Sequence, residues 1–272
     1  MARKSHPRLQ AEADHWRPGT YDRETLERAL VHAGAAGLNS HSRSNIFGKI
    51  RTLITGEAGG QFGLSGVSGM PFERVLSLMA EAGGFDPDPL IEDGDVYVDA
   101  ARVIRSFEAI GDRLARAAGR GEKVLLATGH PGGLLLLYQE TARLLAARGS
   151  KILRPLEGEV WRHGHHRWQV RYFHGVAALT ERGTSLHTHR PEPMERMLEE
   201  AHPDLVFADH GLAGAAIEAG VETLSIADVN DPALLVAKSL GRTELVAVMD
   251  DNVQPESYWP CFQVMASRFP PE

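Results

Sequence analysis

Residues 124–145 read VLLATGHPGGLLLLYQETARLL. The apolar run at 123–128, KVLLAT, is bounded by glycine and stops at Gly129-His130-Pro131-Gly132-Gly133. A strand apolar at nearly every position is one buried on both faces, as in a parallel sheet. A helix-periodic run then begins at once, over 134–148, and Gly149 supplies its stop.

The same alternation continues downstream. Strands are expected at 151–153, 170–179 (bent at Gly175), 204–208, 222–227 and 244–249, with helices at 192–201, 211–219 and 232–240. Strands alternating with helices of this length give an α/β fold, a Rossmann-like three-layer sandwich with a mostly parallel sheet. Upstream the character differs. Helices are expected at 21–36, 71–82 and 99–118, the last with Val103, Phe107, Ile110 and Leu114 on one stripe. Residues 56–69 are a glycine-rich loop, either a plain connection or a loop closing over a ligand. The expected organisation is a mobile arm at 1–20, a helical N-terminal portion at 21–120 packing on the core, and the α/β core at 121–272.

Bulk properties narrow the function. The 272 residues carry a net charge of -7, which speaks against a nucleic-acid surface. No apolar run reaches the length of a membrane span and no secretory leader is visible, so membrane association is not expected. A single cysteine, Cys261, rules out an intramolecular disulfide and fits a cytoplasmic location. Thirteen histidines are informative only where they group.

In open α/β sheets ligands bind beyond the carboxyl ends of the strands. There the sequence places Gly129-His130, Asp209-His210, Asp228-Val229-Asn230-Asp231 and Asp250-Asp251-Asn252, with His187-Thr188-His189 after the 170–179 segment. Each acid alone reads as a helix cap, Asp231 before Pro232 most of all. Together they read as one rim of imidazoles and carboxylates suited to a divalent metal or a charged substrate. His187 and His189 fall on one face if their segment is extended. The glycines of the GHPGG loop would let amides at a helix N-terminus approach a phosphate, although neither dinucleotide nor P-loop spacing is present. The alternative for that loop is a tight strand-to-helix turn. Arg162-His163-Gly164 matches the triplet of histidine-nucleophile phosphatases, but it sits in a polar turn between Trp161 and Trp168 and is set aside.

The segments ATGHPGGLL (127–135), HTHRPEPM (187–194), PDLVFADHGLAG (203–214), ADVNDPAL (227–234) and DDNVQPESY (250–258) resemble an actinobacterial family labelled phosphatase. Ser42-Arg43-Ser44-Asn45 and Arg51 extend the resemblance upstream. It implies a phosphatase-like hydrolase; the His/Asp rim and the glycine loop add the expectation of metal assistance and a small phosphorylated substrate. His130, His210 and Asp209 are the expected catalytic groups. Gly129, Gly132, Gly133, Arg43, Asn45, Arg51 and Asn230 are expected to bind substrate, with the two arginines clamping phosphate bidentately. His187, His189, Asp228, Asp250 and Asp251 are expected to hold a divalent metal, with Mg, Mn and Zn all open. The competing readings are a non-catalytic nucleotide or sugar-phosphate binding domain, and a lyase or isomerase using the same rim. Oligomeric state is left open.

Overall fold

The computed structural model describes residues 14–57 and 59–271. The upstream helices form as expected, within a turn. α1 spans Arg23–Ala33, capped by the Asp22 carboxylate on Thr25 N. α3 spans Phe72–Gly83 and α4 spans Ala100–Arg120, but between α1 and α3 lies a helix that no sequence pattern had been assigned to, α2 at Arg43–Thr55. Its Ile46, Phe47, Ile50 and Leu53 are buried at helical spacing, and Ser42 caps it by accepting from Asn45 N. A two-stranded ribbon, β1 (Gly37–Leu38) and β2 (Tyr97–Val98), ties the start of this region to its end.

The core begins with β3 at Lys123–Thr128, followed by α5 at Pro131–Ala147 and β4 at Lys151–Ile152. Val124, Leu125, Leu126 and Ala127 are all fully buried, as the continuous apolar run requires. Each such leucine contributes about 1.5–3 kcal/mol relative to exposure. Next come β5 (Val160–His163), β6 (His166–Phe173), β7 (Val176–Glu181), β8 (Thr184–Ser185) and α6 (Glu192–Glu200). The chain then alternates β9 (Leu205–Asp209), α7 (His210–Glu218), β10 (Thr223–Asp228), α8 (Ala233–Ser239) and β11 (Leu245–Met249). A short 3-10 turn at Pro255–Tyr258 leads into α9, Trp259–Ala266.

The fold is mixed α/β around a nine-stranded, mostly parallel sheet of order β11-β10-β9-β3-β7-β6-β5, with β4 beside β3 and β8 beside β7. β3, β4, β7, β9, β10 and β11 run parallel; β5, β6 and β8 are antiparallel to their neighbours. The expected bent strand at 170–179 is instead two antiparallel strands. His174 (φ 50°) and Gly175 (φ 93°) both take positive φ, which is what the tightest hairpin turns require.

From β3 the chain moves to β4 and β7 on one side, then returns to lay β9 on the other. The crevice at the carboxyl ends of β3 and β9 is therefore a topological switch point, where open α/β sheets place ligands. Arg113 of α4 braces the opposite end, donating to Glu222 at 2.6 and 2.7 Å and to Glu122 at 2.8 Å. The segment expected as an arm lies outside the described residues up to residue 13. Beyond it, Trp16 is buried against Phe262, and Gln263 Nε2 donates to His15 O and Arg17 O, so this part is fastened to α9.

Candidate active site

Three close approaches of backbone build the rim, and each needs a glycine. A Cβ on Gly129 would sit 2.4 Å from Thr188 O; one on Gly133 would sit 2.5 Å from Asp251 O. One on Gly211 would sit 2.0 Å from His189 O. The glycines of the GHPGG loop thus let the 187–189 segment and the 250–252 loop lie directly against β3 and α5. Pro131 occupies the first turn of α5, where its missing N–H costs nothing. The expected amide cradle is largely used up inside the protein. Gly129 N donates to Asp209 Oδ1 (2.7 Å), His130 N to Thr128 Oγ1 (3.0 Å) and Gly133 N to His130 O (3.2 Å). Gly132 faces open space.

The histidines converge. His130 stacks on His187 with ring centroids 4.3 Å apart, and His187 and His189 lie 5.2 and 4.7 Å from His210. One ring nitrogen from each of His130, His187 and His210 lies within 4.8 Å of the other two. His130 and His210 are buried and His187 is exposed. His187 and His189 were expected on one face of an extended segment; the segment is irregular, and their rings meet edge to face at 5.2 Å. His189 stacks on His210 and meets the edge of Phe62, whose ring is 5.0 Å away.

His210 begins α7 with φ 48°, an uncommon conformation for a residue with a side chain. It turns the chain sharply from β9 into α7 and holds the imidazole at the switch point. Its Nδ1 is 2.8 Å from Asp209 Oδ1; its Nε2 faces Asp231 Oδ2 at 3.4 Å and Asp251 Oδ2 at 3.6 Å. Asp251 Oδ1 is 3.2 Å from His130 Nδ1, in a direction that makes no hydrogen bond. Neither Asp209 nor Asp231 caps a helix with its side chain. The cap reading therefore fails for both, including Asp231, where it had looked strongest. Asp228 does bond a following amide, Val229 N at 2.6 Å, but its other oxygen receives His41 Nε2 at 2.8 Å. Asp250 is a tether: its oxygens accept Ser40 N (2.8 Å) and Asn252 N (3.0 Å), pinning the loop that carries His41.

Buried acids shape the electrostatics. Burial pushes the Asp228 carboxyl up to about 7 and raises Asp231 as well. Burial opposes charge on His210, yet Asp209, Asp231 and Asp251 outweigh it and lift the imidazole to about 10. His189 has no bonded carboxylate, and burial, aided by His210 and Lys49, drives it down to about 3. Burial also lowers His187. Three buried atoms of this cluster have no hydrogen-bond partner: His130 Nδ1, Asp209 Oδ2 and Asp251 Oδ2. Buried polar atoms are rarely left so, and a cation bound among these would satisfy them. The donor set of imidazoles beside carboxylates fits a divalent cation.

The N-terminal portion supplies a wall. A cavity of about 270 Å³ lies between Lys49 and Thr52 of α2, Phe62 of the glycine-rich loop, and His189 and Asp231 of the rim. Asn45, four residues before Lys49, accepts from Asn230 Nδ2 at 2.8 Å. Asn45, Lys49 and Thr52, at i, i+4 and i+7, share one face of α2 beside its buried stripe. The expected arginine clamp is not there. Arg43 is buried with Nε, Nη1 and Nη2 held by the carbonyls of Ile91, Asp86 and Asp88 at 2.6–2.7 Å. Arg51 pairs with Glu92 at 2.6 Å and lies over Phe47 and Phe72. The cation that faces the rim is Lys49. Its i+4 spacing from Asn45 was the available signal, hidden because α2 had not been recognised.

A family model described as Phosphatase matches residues 21–269. The chain belongs to the Phosphatase family. The match spans both the helical N-terminal portion and the sheet, so every residue of the rim and of the α2 wall falls within it. This Phosphatase-family chain is also 38% identical over 250 residues to a Streptomyces coelicolor (strain ATCC BAA-471 / A3(2) / M145) protein named Phosphatase SCO2771. The alignment covers 89% of this chain and 94% of that relative. Among the described residues, no helix is long and apolar enough to cross a membrane.

Proposed function

We propose that this Phosphatase-family member is a metal-assisted phosphoric monoester hydrolase acting on a small phosphorylated metabolite in the cytoplasm. The observation that carries this reading is the meeting of one ring nitrogen each from His130, His187 and His210 beside the buried carboxylates of Asp209 and Asp251. Nitrogen-rich sets of this kind favour zinc over magnesium, which prefers oxygen. A bound divalent ion would supply Lewis acidity and positive charge towards the phosphoryl oxygens.

The chain's own groups divide the remaining work. Asp209 fixes the His210 ring through Nδ1 and leaves Nε2 pointing inward, the usual service of a carboxylate behind a ligating histidine. Lys49 contributes a point charge for the phosphate across the cavity, and Asn45 with Asn230 closes the adjoining wall. Asp231, which lines the same cavity, takes the proton of the attacking water. His189, kept neutral, and Phe62 shape the pocket for the substrate's uncharged part. The non-catalytic binding domain reads the rim acids as caps, which Asp209 and Asp231 are not.

The test is phosphate release by metal-stripped protein, reconstituted separately with zinc, manganese and magnesium, against a panel of small phosphomonoesters. One ion should restore turnover, and Asp251→Asn should lower it by about a hundredfold or more. Equal turnover with and without metal, or no turnover with any ion and ester, would overturn the reading.

A further inference from the structure

A second and larger cavity lies away from the rim. It measures about 530 Å³ and is framed by α3, α4, α8 and the first residues of β11. Leu245 and Val246 open β11 in this cleft, while Asp250 and Asp251 follow the strand's other end. The cleft shares no lining residue with the rim cavity.

Its lining is unusual for a chain of net charge -7. Four cations, Arg74, Arg102, Arg105 and Lys238, line it against one acid, Glu81. Arg102 is engaged, bonding Glu81 O and lying 3.7 Å from Asp99. Arg74, Arg105 and Lys238, each from a different helix, make no side-chain hydrogen bond or ion pair with any described residue. Like charges gathered at one concave site repel one another and attract a counter-ion. Beneath them the wall is apolar: Leu78 and Leu245 are half-buried, and Leu235 and Val246 are only 5% and 4% exposed. Inorganic phosphate would satisfy the cations and leave that wall wet. A hydrocarbon would cover the wall and leave the cations unpaired. The volume falls in the range of small-molecule sites, about 300–1,000 Å³.

We propose that this cleft is a second binding site, for a nucleotide-sized anion that carries an apolar body behind its phosphate, sulfonate or carboxylate head. The site is separate from the hydrolytic rim and does not depend on the function assigned there. Arg74, Arg105 and Lys238 bind the head, and Leu78, Leu235 and Val246 receive the body.

Titrating the intact protein with 8-anilinonaphthalene-1-sulfonate, one sulfonate on an aromatic body, tests this by fluorescence. Saturable binding of one dye per chain is expected. Arg105→Glu with Lys238→Glu should weaken it at least tenfold. Ala109→Trp, which fills the cleft and keeps every cation, should do the same. Asp251→Asn at the rim should leave dye affinity unchanged. Melting curves of all variants identify any that fail to fold, and Arg105→Gln then replaces the charge reversal. Binding that is not saturable, that survives both cleft changes in folded protein, or that disappears with Asp251→Asn would overturn the proposal.

Discussion

Two histidine-rich regions of this molecule differ in what surrounds their rings. At the β5–β6 hairpin, His163 stacks on Trp168 at 4.4 Å and the exposed His166 pairs with Glu181 at 3.0 Å. These two rings have local partners on an exposed hairpin. At the rim, His130, His187, His189 and His210 come from three separate loops and face buried acids. There three buried side-chain atoms are left without a protein hydrogen-bond partner. Residue type is the same in both places. What differs is the topology: an antiparallel edge hairpin projects its side chains outward, whereas a parallel switch point gathers loop residues into one crevice.

The sharpest way to break this comparison is to remove a rim histidine. His210→Ala should abolish metal retention and reduce phosphate release by more than about a hundredfold, read by elemental analysis and steady-state assay. Retained activity would place the chemistry elsewhere. Next in size is Gly211→Ala. Its new Cβ would meet His189 O at 2.0 Å, so the 187–189 segment or α7 must move. A loss of about 1–3 kcal/mol in urea unfolding is expected, together with weaker metal binding. Arg43→Met should cost a similar amount, about 1–3 kcal/mol, because it strands three loop carbonyls. Unlike the glycine change, it should leave metal content intact, which separates a structural arginine from a ligand.

Acidity sharpens the contrast further. In metal-free protein His210 is raised from 6.5 to about 10, so its stabilising contribution is full below 6.5 and is lost as pH rises through about 10. Asp228, raised from 3.8 to about 7, acts in the same sense: its contribution is full below 3.8 and is lost as pH rises through about 7. Melting of the stripped protein should therefore fall from about pH 6 to about pH 9, and added metal should reduce that fall. The smallest effect belongs to the hairpin. His165→Ala with His166→Ala should change stability by no more than about 0.5 kcal/mol and leave turnover unchanged.

The sequence carried the core clearly because KVLLAT, DLVFA and ELVAVM are short, mostly apolar runs spaced by helix-length segments, the alternation of a parallel sheet. Elements at 123–128, 205–209 and 223–228 lie within a residue of where that pattern put them. The rim was legible for the same reason, since strand ends of a parallel sheet share one edge. What escaped was whatever depended on contacts between distant segments. The α2 helix has a mixed sequence, RSNIFGKIRTLIT, whose polar face makes sense only against the rim. His41 was invisible because its partner, Asp228, lies 187 positions away in the chain. Gly129 and Gly133 looked like an anion loop, yet the backbone they admit belongs to Thr188 and Asp251.

The central claim is that the rim holds a divalent ion through His130, His187 and His210. Elemental analysis of the purified protein after zinc or manganese loading and gel filtration tests it directly, in wild type and in His130→Ala/His187→Ala. One ion per wild-type chain, absent from a folded double variant, is the result expected. No retained ion in the wild type, or equal metal in both proteins, would contradict it.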